Sequence, residues 1–378
     1  MSPSEDPIQP GQLVQVVPLK GGQKGKPFVL KNTANEEVVV KFQNEAPAEA
    51  LAGSYALAQA NAATPEIRLL RKEEVETLKT AVLQVAAVDK EVTEFLEAST
   101  KFQHAVVMGY VKGETLKAAR KQDLAVFLTV ICDTQFQMEL GKILAADALV
   151  GNADRMFGNL TDKKIARQKV GRPKKEDTYF VEGWYHEQNT LIRNKLPVAI
   201  DNGFKPDYVE GFFPFGRYIY HVGLQFGSFA SSAQKYAEAE AGALFDVFLS
   251  TALLDHPNDH EEINVTKGRR QSFVEQVSRS ATDTMKILLT RGKHWRQHFR
   301  DFGIANDALD SFRKRKRILR MLAAGVAPDI AITLTGNHEY HKWVLTTEFG
   351  ETEAAAEEML KDGVERYRAL KQARLNQQ

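Results

Sequence analysis

The sequence holds a single cysteine, Cys132, among 378 residues. One thiol excludes an intramolecular disulfide framework and a metal site built from several thiolates, and it makes a reducing compartment the natural setting. Cys132 lies in the apolar run VFLTVICDTQF and reads as a small buried hydrophobe. An excess of one charge is also missing. Fifty Lys plus Arg against forty-nine Asp plus Glu leave a net charge of +1, so no global field draws the molecule onto DNA or an anionic membrane. Long apolar runs are absent: no window approaches the ~18 consecutive apolar residues that span a bilayer, and Asp147 and Asp154 interrupt the longest candidates. The opening MSPSEDPIQPGQ is polar, carries three prolines and lacks the basic and apolar regions of a signal peptide. No internal repeat is visible. These absences lead to the expectation of a cytoplasmic protein, or of an effector translocated by a dedicated machine.

What is present is globular in composition, with 43% hydrophobic and 26% charged residues, near the average of soluble folded proteins. From Leu13 to Phe42, LVQVVPL, PFVLK and EVVVKF alternate with KGGQKGK and NTANE, which predicts a three-strand meander with Gly-rich and Asn-rich turns. Pro47 precedes AEALAGSYALAQANAA, a helix start. PEIRLL reads as a fourth strand, residues 71 to 101 as helical, and HAVVMGYV as a further strand. The second half follows helical periodicity, for example over residues 237 to 254 and 272 to 291. The segment DKKIARQKVGRPKKED, with seven basic residues, reads as an exposed insertion.

The stretch AADALVGNADRMFGNL carries the most chemistry. An apolar helix end is followed by Asn152, Asp154, Arg155 and Asn159, which places a carboxylate and a carboxamide five positions apart on a loop. Phosphoryl transfer uses such a pair: a carboxylate to orient the attacking hydroxyl and a neutral oxygen to hold Mg²⁺ on nucleotide phosphates. Forty-two residues after Asn159, the β-type run PVAIDNGF ends in Asp201, a charged second ligand of the kind Mg²⁺ takes. Taken singly these are cap and turn residues. Upstream, Lys41 ends the third strand and Glu49 opens the following helix, where a lysine can reach α/β-phosphates and pair with a helix glutamate.

In this order, VVVKF, AEALAGSYALAQ, TPEIRLL, VMGYVKGETL, DALVGNADRMFGN and AIDNGF resemble the succession of a protein kinase-like fold, most of all the actin-fragmin kinase and HipA-type families, over roughly residues 13 to 205. The resemblance implies an α+β, bilobal fold: a β-rich small lobe over residues 1–107 and a helical large lobe over 108–378, with the basic insertion at about 162–198. It implies ATP and Mg²⁺ as cofactors. Lys41 would contact the phosphates, fixed by Glu49; Asp154 would be the catalytic base; Asn159 and Asp201 would hold the metal. Met108, Tyr110 and Val111 would form the adenine-binding hinge, and Gly21, Gly22 and Gly25 the loop over the phosphates. Arg155 would neutralise charge beside Asp154. The acceptor expected is a Ser or Thr hydroxyl of a protein, because the resembled families phosphorylate proteins. The alternatives are a lipid or small-molecule kinase, a pseudokinase or scaffold, and an enzyme that transfers AMP on the same fold.

The sequence departs from ordinary protein kinases in four ways. KGGQKG is not G-x-G-x-x-G, Asn202 stands where an aromatic ring is usual, no Ala-Pro-Glu follows Asp201, and the basic segment lengthens the interval before it. Among weaker signals, VGRPKK is similar to an AT-hook core with Val170 in place of arginine, and is weighed as a docking or solvated loop rather than a DNA contact. FRKRKRILR, with six basic residues, reads as the outer face of an amphipathic helix. GNHEYH is not H-E-x-x-H, because only two residues separate His338 from His341, and the histidines and carboxylates of both DHPNDHEE and GNHEYH read as loop and cap residues.

Overall fold

The computed structural model describes residues 10–19, 25–43, 47–86, 93–94, 97, 103–152, 155, 187–204, 206, 233–290, 294–323, 352–355, 357–358, 361 and 365. The N-terminal region is a five-stranded antiparallel sheet in the order β1-β2-β3-β5-β4. Its strands are β1 (Leu13–Pro18), β2 (Gly25–Asn32), β3 (Glu37–Gln43), β4 (Ile67–Leu69) and β5 (His104–Gly109). The meander expected from the alternation is β1, β2 and β3. Asn32 shapes the turn between the last two: its Oδ1 accepts from the N–H groups of Ala34 and Glu36, and Asn35 takes the left-handed conformation at φ 63°.

Along β3 the side chains alternate. Val38, Val40 and Phe42 are buried with Phe28, Leu30 and Val107 under the helix α2 (Lys72–Ala86), which contributes Val75, Leu78 and Val82. The period of two turns Lys41 to the other face, away from this core. Glu74 fastens the first turn of α2 to the sheet by accepting from the Arg71 backbone N–H at 2.6 Å and from Arg68 at 3.0 Å. These hydrogen bonds, those to Arg71 foremost, hold its carboxyl down at about 2.

The C-terminal region is mostly helical. Its elements are α3 (Leu116–Gln122), α4 (Leu124–Ile131), α5 (Thr134–Val150), α6 (Ala233–Asp255), α7 (His260–Lys267), α8 (Arg270–Thr290), α9 (Trp295–Asp301) and α10 (Asn306–Ala323). At the centre lies α5, almost wholly buried from Leu140 to Val150. Asp133 caps it by accepting from the N–H groups of Gln135 and Phe136, a contribution of about 1 kcal/mol. The helix α1 (Ala48–Gln59) begins after Pro47 as expected, but its Ala48, Ala52, Ala56 and Leu57 join the helical core, not the sheet core. The sheet runs to Gly109, two residues past the boundary expected at 107, and α1 packs with the helices.

The β-type run PVAIDNGF supplies one strand of a second sheet, β6-β7-β8, whose other two strands the sequence did not announce: Glu114–Thr115, Thr190–Arg193 and Leu196–Ala199 pair antiparallel. Asn194 and Lys195 both have positive φ, 51° and 64°, the two-residue turn whose twist suits a hairpin. The basic insertion expected to reach residue 198 thus gives way to this hairpin from residue 190. Residues 162 to 186 of that stretch, VGRPKK among them, lie outside the described residues, as does GNHEYH. FRKRKRILR is not simply an outer helix face, because Arg315 and Lys316 are buried. Arg315 donates to the Ala148 carbonyl in the last turn of α5, where a helix favours positive charge. In DHPNDHEE, Asp255 pairs with Arg120, and Asp259 stands at the N-cap position of α7 without a side-chain hydrogen bond to the helix backbone. Among the described residues, no helix is long and apolar enough to cross a membrane.

Candidate active site

The site is assembled from β3, the end of β8 and the end of α5. Lys41 is opposite Pro27 on β2 and Val106 on β5, so it stands inside the sheet, not at a frayed edge. Its Nζ lies 3.2 Å from Oδ1 of Asp201, across 160 positions of sequence. The lysine side chain is 17% exposed and that of Asp201 57% exposed, so the pair faces water on the aspartate side. Asp201 has φ 52°, in the left-handed region that an ordinary L residue enters only when its surroundings hold it there.

Those surroundings are polar and dry. The helix α5 ends at Gly151 in the left-handed conformation (φ 72°), with the Gly151 and Asn152 N–H groups both donating to the Asp147 carbonyl. The Asp147 side chain accepts from Asn152 Nδ2 at 3.0 Å and from Arg155 Nη1 at 2.7 and 2.9 Å. Arg155 and Asp147 are 0% and 1% exposed. Arg155 also donates to the carbonyls of Asn189 and Ile200 and to Oδ1 of Asn202. Burial pushes the Asp147 carboxyl up, and the guanidinium together with the Asn152 amide pulls it back.

Asn202 completes the network by donating from Nδ2 to Ser54 Oγ on α1 at 2.9 Å and to Thr64 Oγ1 at 3.1 Å. A Cβ added at Gly53 would stand 2.7 Å from the Gly203 carbonyl, so this backbone approach requires glycine. The apolar packing that an aromatic ring at position 202 would provide falls instead to Phe204. Its ring lies 4.8 Å from Phe299 of α9 and 5.8 Å from Phe312 of α10, centroid to centroid.

Of the residues singled out from sequence, Lys41 and Asp201 are brought together. Glu49 is not joined to them: it is exposed in the first turn of α1 and forms no ion pair with Lys41, whose partner is Asp201. Arg155, expected to neutralise charge beside Asp154, donates into the buried network. Met108 pairs with Val39 one residue before the end of β5, the Tyr110 N–H donates to the Glu37 carbonyl at 3.4 Å, and Val111 continues toward β6, so this segment is the crossing between sheet and helices. Gly25 opens β2 opposite Gln43, two residues from Lys41. Gly21, Gly22, Asp154 and Asn159 lie outside the described residues. Asn152 and Arg155, which bracket Asp154 in sequence, are both anchored to Asp147. Sequence reasoning missed Asp147, Ser54, Thr64 and Asn202 as parts of the network. The available signal was Asp147 itself, a lone carboxylate in an apolar helix end, which burial permits only with a partner.

Residues 8–168 match the family model described as "Actin-fragmin kinase, catalytic". This bears out the resemblance to that family drawn from the motifs, over that part of the chain. The match stops ahead of β7, so it does not reach Asp201, which the fold alone brings to Lys41. No curated protein matches the chain. Among solved structures, "Amicoumacin kinase hAmiN in complex with AMP-PNP, Ca2+ and Ami" is similar at 10% identity, with 85% of this chain and 90% of that one covered and a TM-score of 0.28. So loose a superposition transfers no residue roles. The β-sheet N-terminal region and helical C-terminal region agree with the bilobal, kinase-like architecture expected from sequence.

Proposed function

We propose that this chain is an ATP-dependent phosphotransferase that carries a phosphoryl group to a protein hydroxyl. The observation that supports it most is the Lys41–Asp201 contact, 3.2 Å between a sheet lysine and an exposed carboxylate at the mouth of the helical region. In phosphoryl transfer the protein's work is positioning and charge stabilisation, and this pair supplies one cation for phosphate oxygens and one anion for a metal. An exposed carboxylate oxygen suits a hard divalent cation such as Mg²⁺, with Asn159 as the second protein ligand. When bound, that ion neutralises charge on the nucleotide phosphates.

In this reading, Lys41 holds the phosphates, Asp154 accepts the proton of the attacking hydroxyl, and the backbone from Met108 to Val111 receives the adenine. The loop with Gly21, Gly22 and Gly25 covers the phosphates. Asp201, rather than Glu49, is the partner of Lys41 before nucleotide arrives. A protein acceptor is favoured by the matched family, whose name is that of an actin-fragmin kinase.

The test is incubation with Mg²⁺ and ATP labelled in parallel at the γ- and α-phosphates, alone and with cell lysates, beside Asp154→Ala. Transfer of the γ-label to a protein band is expected, reduced by about 10²- to 10⁴-fold in the variant, the range that a general base contributes. Transfer of the α-label alone would instead indicate AMP transfer, γ-label on a small molecule would move the acceptor class, and no transfer of either label would contradict catalysis.

A further inference from the structure

Asn202 has a demand on every polar atom of its side chain that the network can use. Its neighbours fix which way the amide lies. Arg155 can only donate, so it must meet Oδ1, at 2.7 Å. The Thr64 hydroxyl donates to the Ala199 carbonyl at 3.2 Å, so toward Asn202 it accepts, from Nδ2, as Ser54 does. One amide therefore joins three pieces of chain: α1 through Ser54, the segment between α1 and β4 through Thr64, and the α5 end through Arg155 and Asp147. The residue before it is Asp201, held at φ 52° with its carboxylate on Lys41, and the residue after it, Gly203, has its carbonyl against Gly53 of α1.

We propose that Asn202 is a positioning residue: its three-way hydrogen bonding locks α1 onto the Asp201-Asn202-Gly203 segment and fixes the Asp201 carboxylate where a metal–nucleotide complex needs it. The role rests on the phosphotransfer reading of the site. It explains why a polar residue stands where an aromatic ring is usual. An aromatic side chain there could only press on its neighbours, whereas the amide ties α1 to the buried Arg155 by directional bonds. Those bonds act one peptide unit away from Asp201, whose own backbone is held at φ 52°.

The test compares wild type with Asn202→Leu, close in shape and without the three hydrogen bonds, and with the milder Thr64→Val. Two readouts are taken: the Mg²⁺ concentration at half-maximal label transfer, and Mn²⁺ binding in the presence of ATP, read from the paramagnetic relaxation of water. Asn202→Leu is expected to need about tenfold more of either ion, Thr64→Val about threefold more, with the KM for ATP at saturating metal little changed. A fold-stabilising role alone lowers the unfolding midpoint and leaves these metal requirements where they are in wild type; that result, in either folded variant, overturns the proposal. If wild type transfers no label, the phosphotransfer reading falls, and the Mn²⁺ titration still decides the positioning: equal Mn²⁺ binding in wild type and variants, or none in any of them, overturns it. If Asn202→Leu does not fold, Thr64→Val carries the same comparison.

Discussion

Arg155–Asp147 and Lys41–Asp201 are the same kind of contact in opposite surroundings. The first is 2.7 Å long with both partners essentially unexposed, the second 3.2 Å with an aspartate more than half exposed. Two unit charges about 4 Å apart attract by ~1 kcal/mol in water and ~4 kcal/mol at the effective dielectric near a protein surface, so surroundings and not geometry set what each pair does. The dry pair has no room to exchange partners and serves as a fixed floor. The wet pair can open, which lets a phosphate take the lysine and a cation take the carboxylate. Asp201 and Asn202, adjacent in sequence, are where the two regimes meet.

The largest expected effect breaks the wet pair's chemistry without touching the floor. Lys41→Met should lower label transfer by about 10²- to 10³-fold, the scale for losing one preorganised electrostatic stabiliser. The same variant should shift stability by only about 0–1 kcal/mol, as exposed pairs do, measured by urea unfolding. The reverse pattern is expected for Arg155→Met. Stranding the buried Asp147 carboxylate should cost about 3–5 kcal/mol of stability, and the double variant with Asp147→Leu should recover part of it. Equal stability losses for Lys41→Met and Arg155→Met would dissolve the distinction between the two pairs.

The smallest effect sharpens the comparison at a third carboxylate. Glu74 is held at about 2 by its hydrogen bonds to Arg71 and Arg68, below the ordinary Glu value of about 4.3. A depressed folded pKa means that its contribution is complete above the ordinary value and is lost as pH falls toward 2. In Glu74→Gln the thermal midpoint should lie below that of wild type at pH 7 and fall less between pH 4 and pH 2. Parallel acid limbs in the two proteins would contradict the assignment.

Most of the sheet and the main helices were legible in the sequence because their signals are local. The alternation in EVVVKF set the face of Lys41, the periodicity of residues 237 to 254 falls within α6, and that of 272 to 291 follows α8 to its end at Thr290. The run PVAIDNGF was legible as β, but its pairing with β7 was not, because β7 is only four residues long and the turn, Asn194-Lys195, lacks the glycine that usually marks one. The partnership of Lys41 with Asp201 instead of Glu49 was also illegible. Glu49 rides on α1, whose Ala52 and Ala56 join the helical core, a choice that small residues allow but do not announce. The partnership of Arg155 with Asp147, eight residues earlier on the buried end of α5, was illegible as well, because sequence shows only its adjacency to Asp154.

The central claim is that Asp201 is the open, metal-accepting end of this segment. Calorimetric titration of ATP into wild type and Asp201→Asn, each with and without Mg²⁺, tests it most directly. Wild type should bind ATP at least about tenfold more tightly with Mg²⁺, and Asp201→Asn should gain nothing from the ion. The same gain from Mg²⁺ in both proteins would contradict the account.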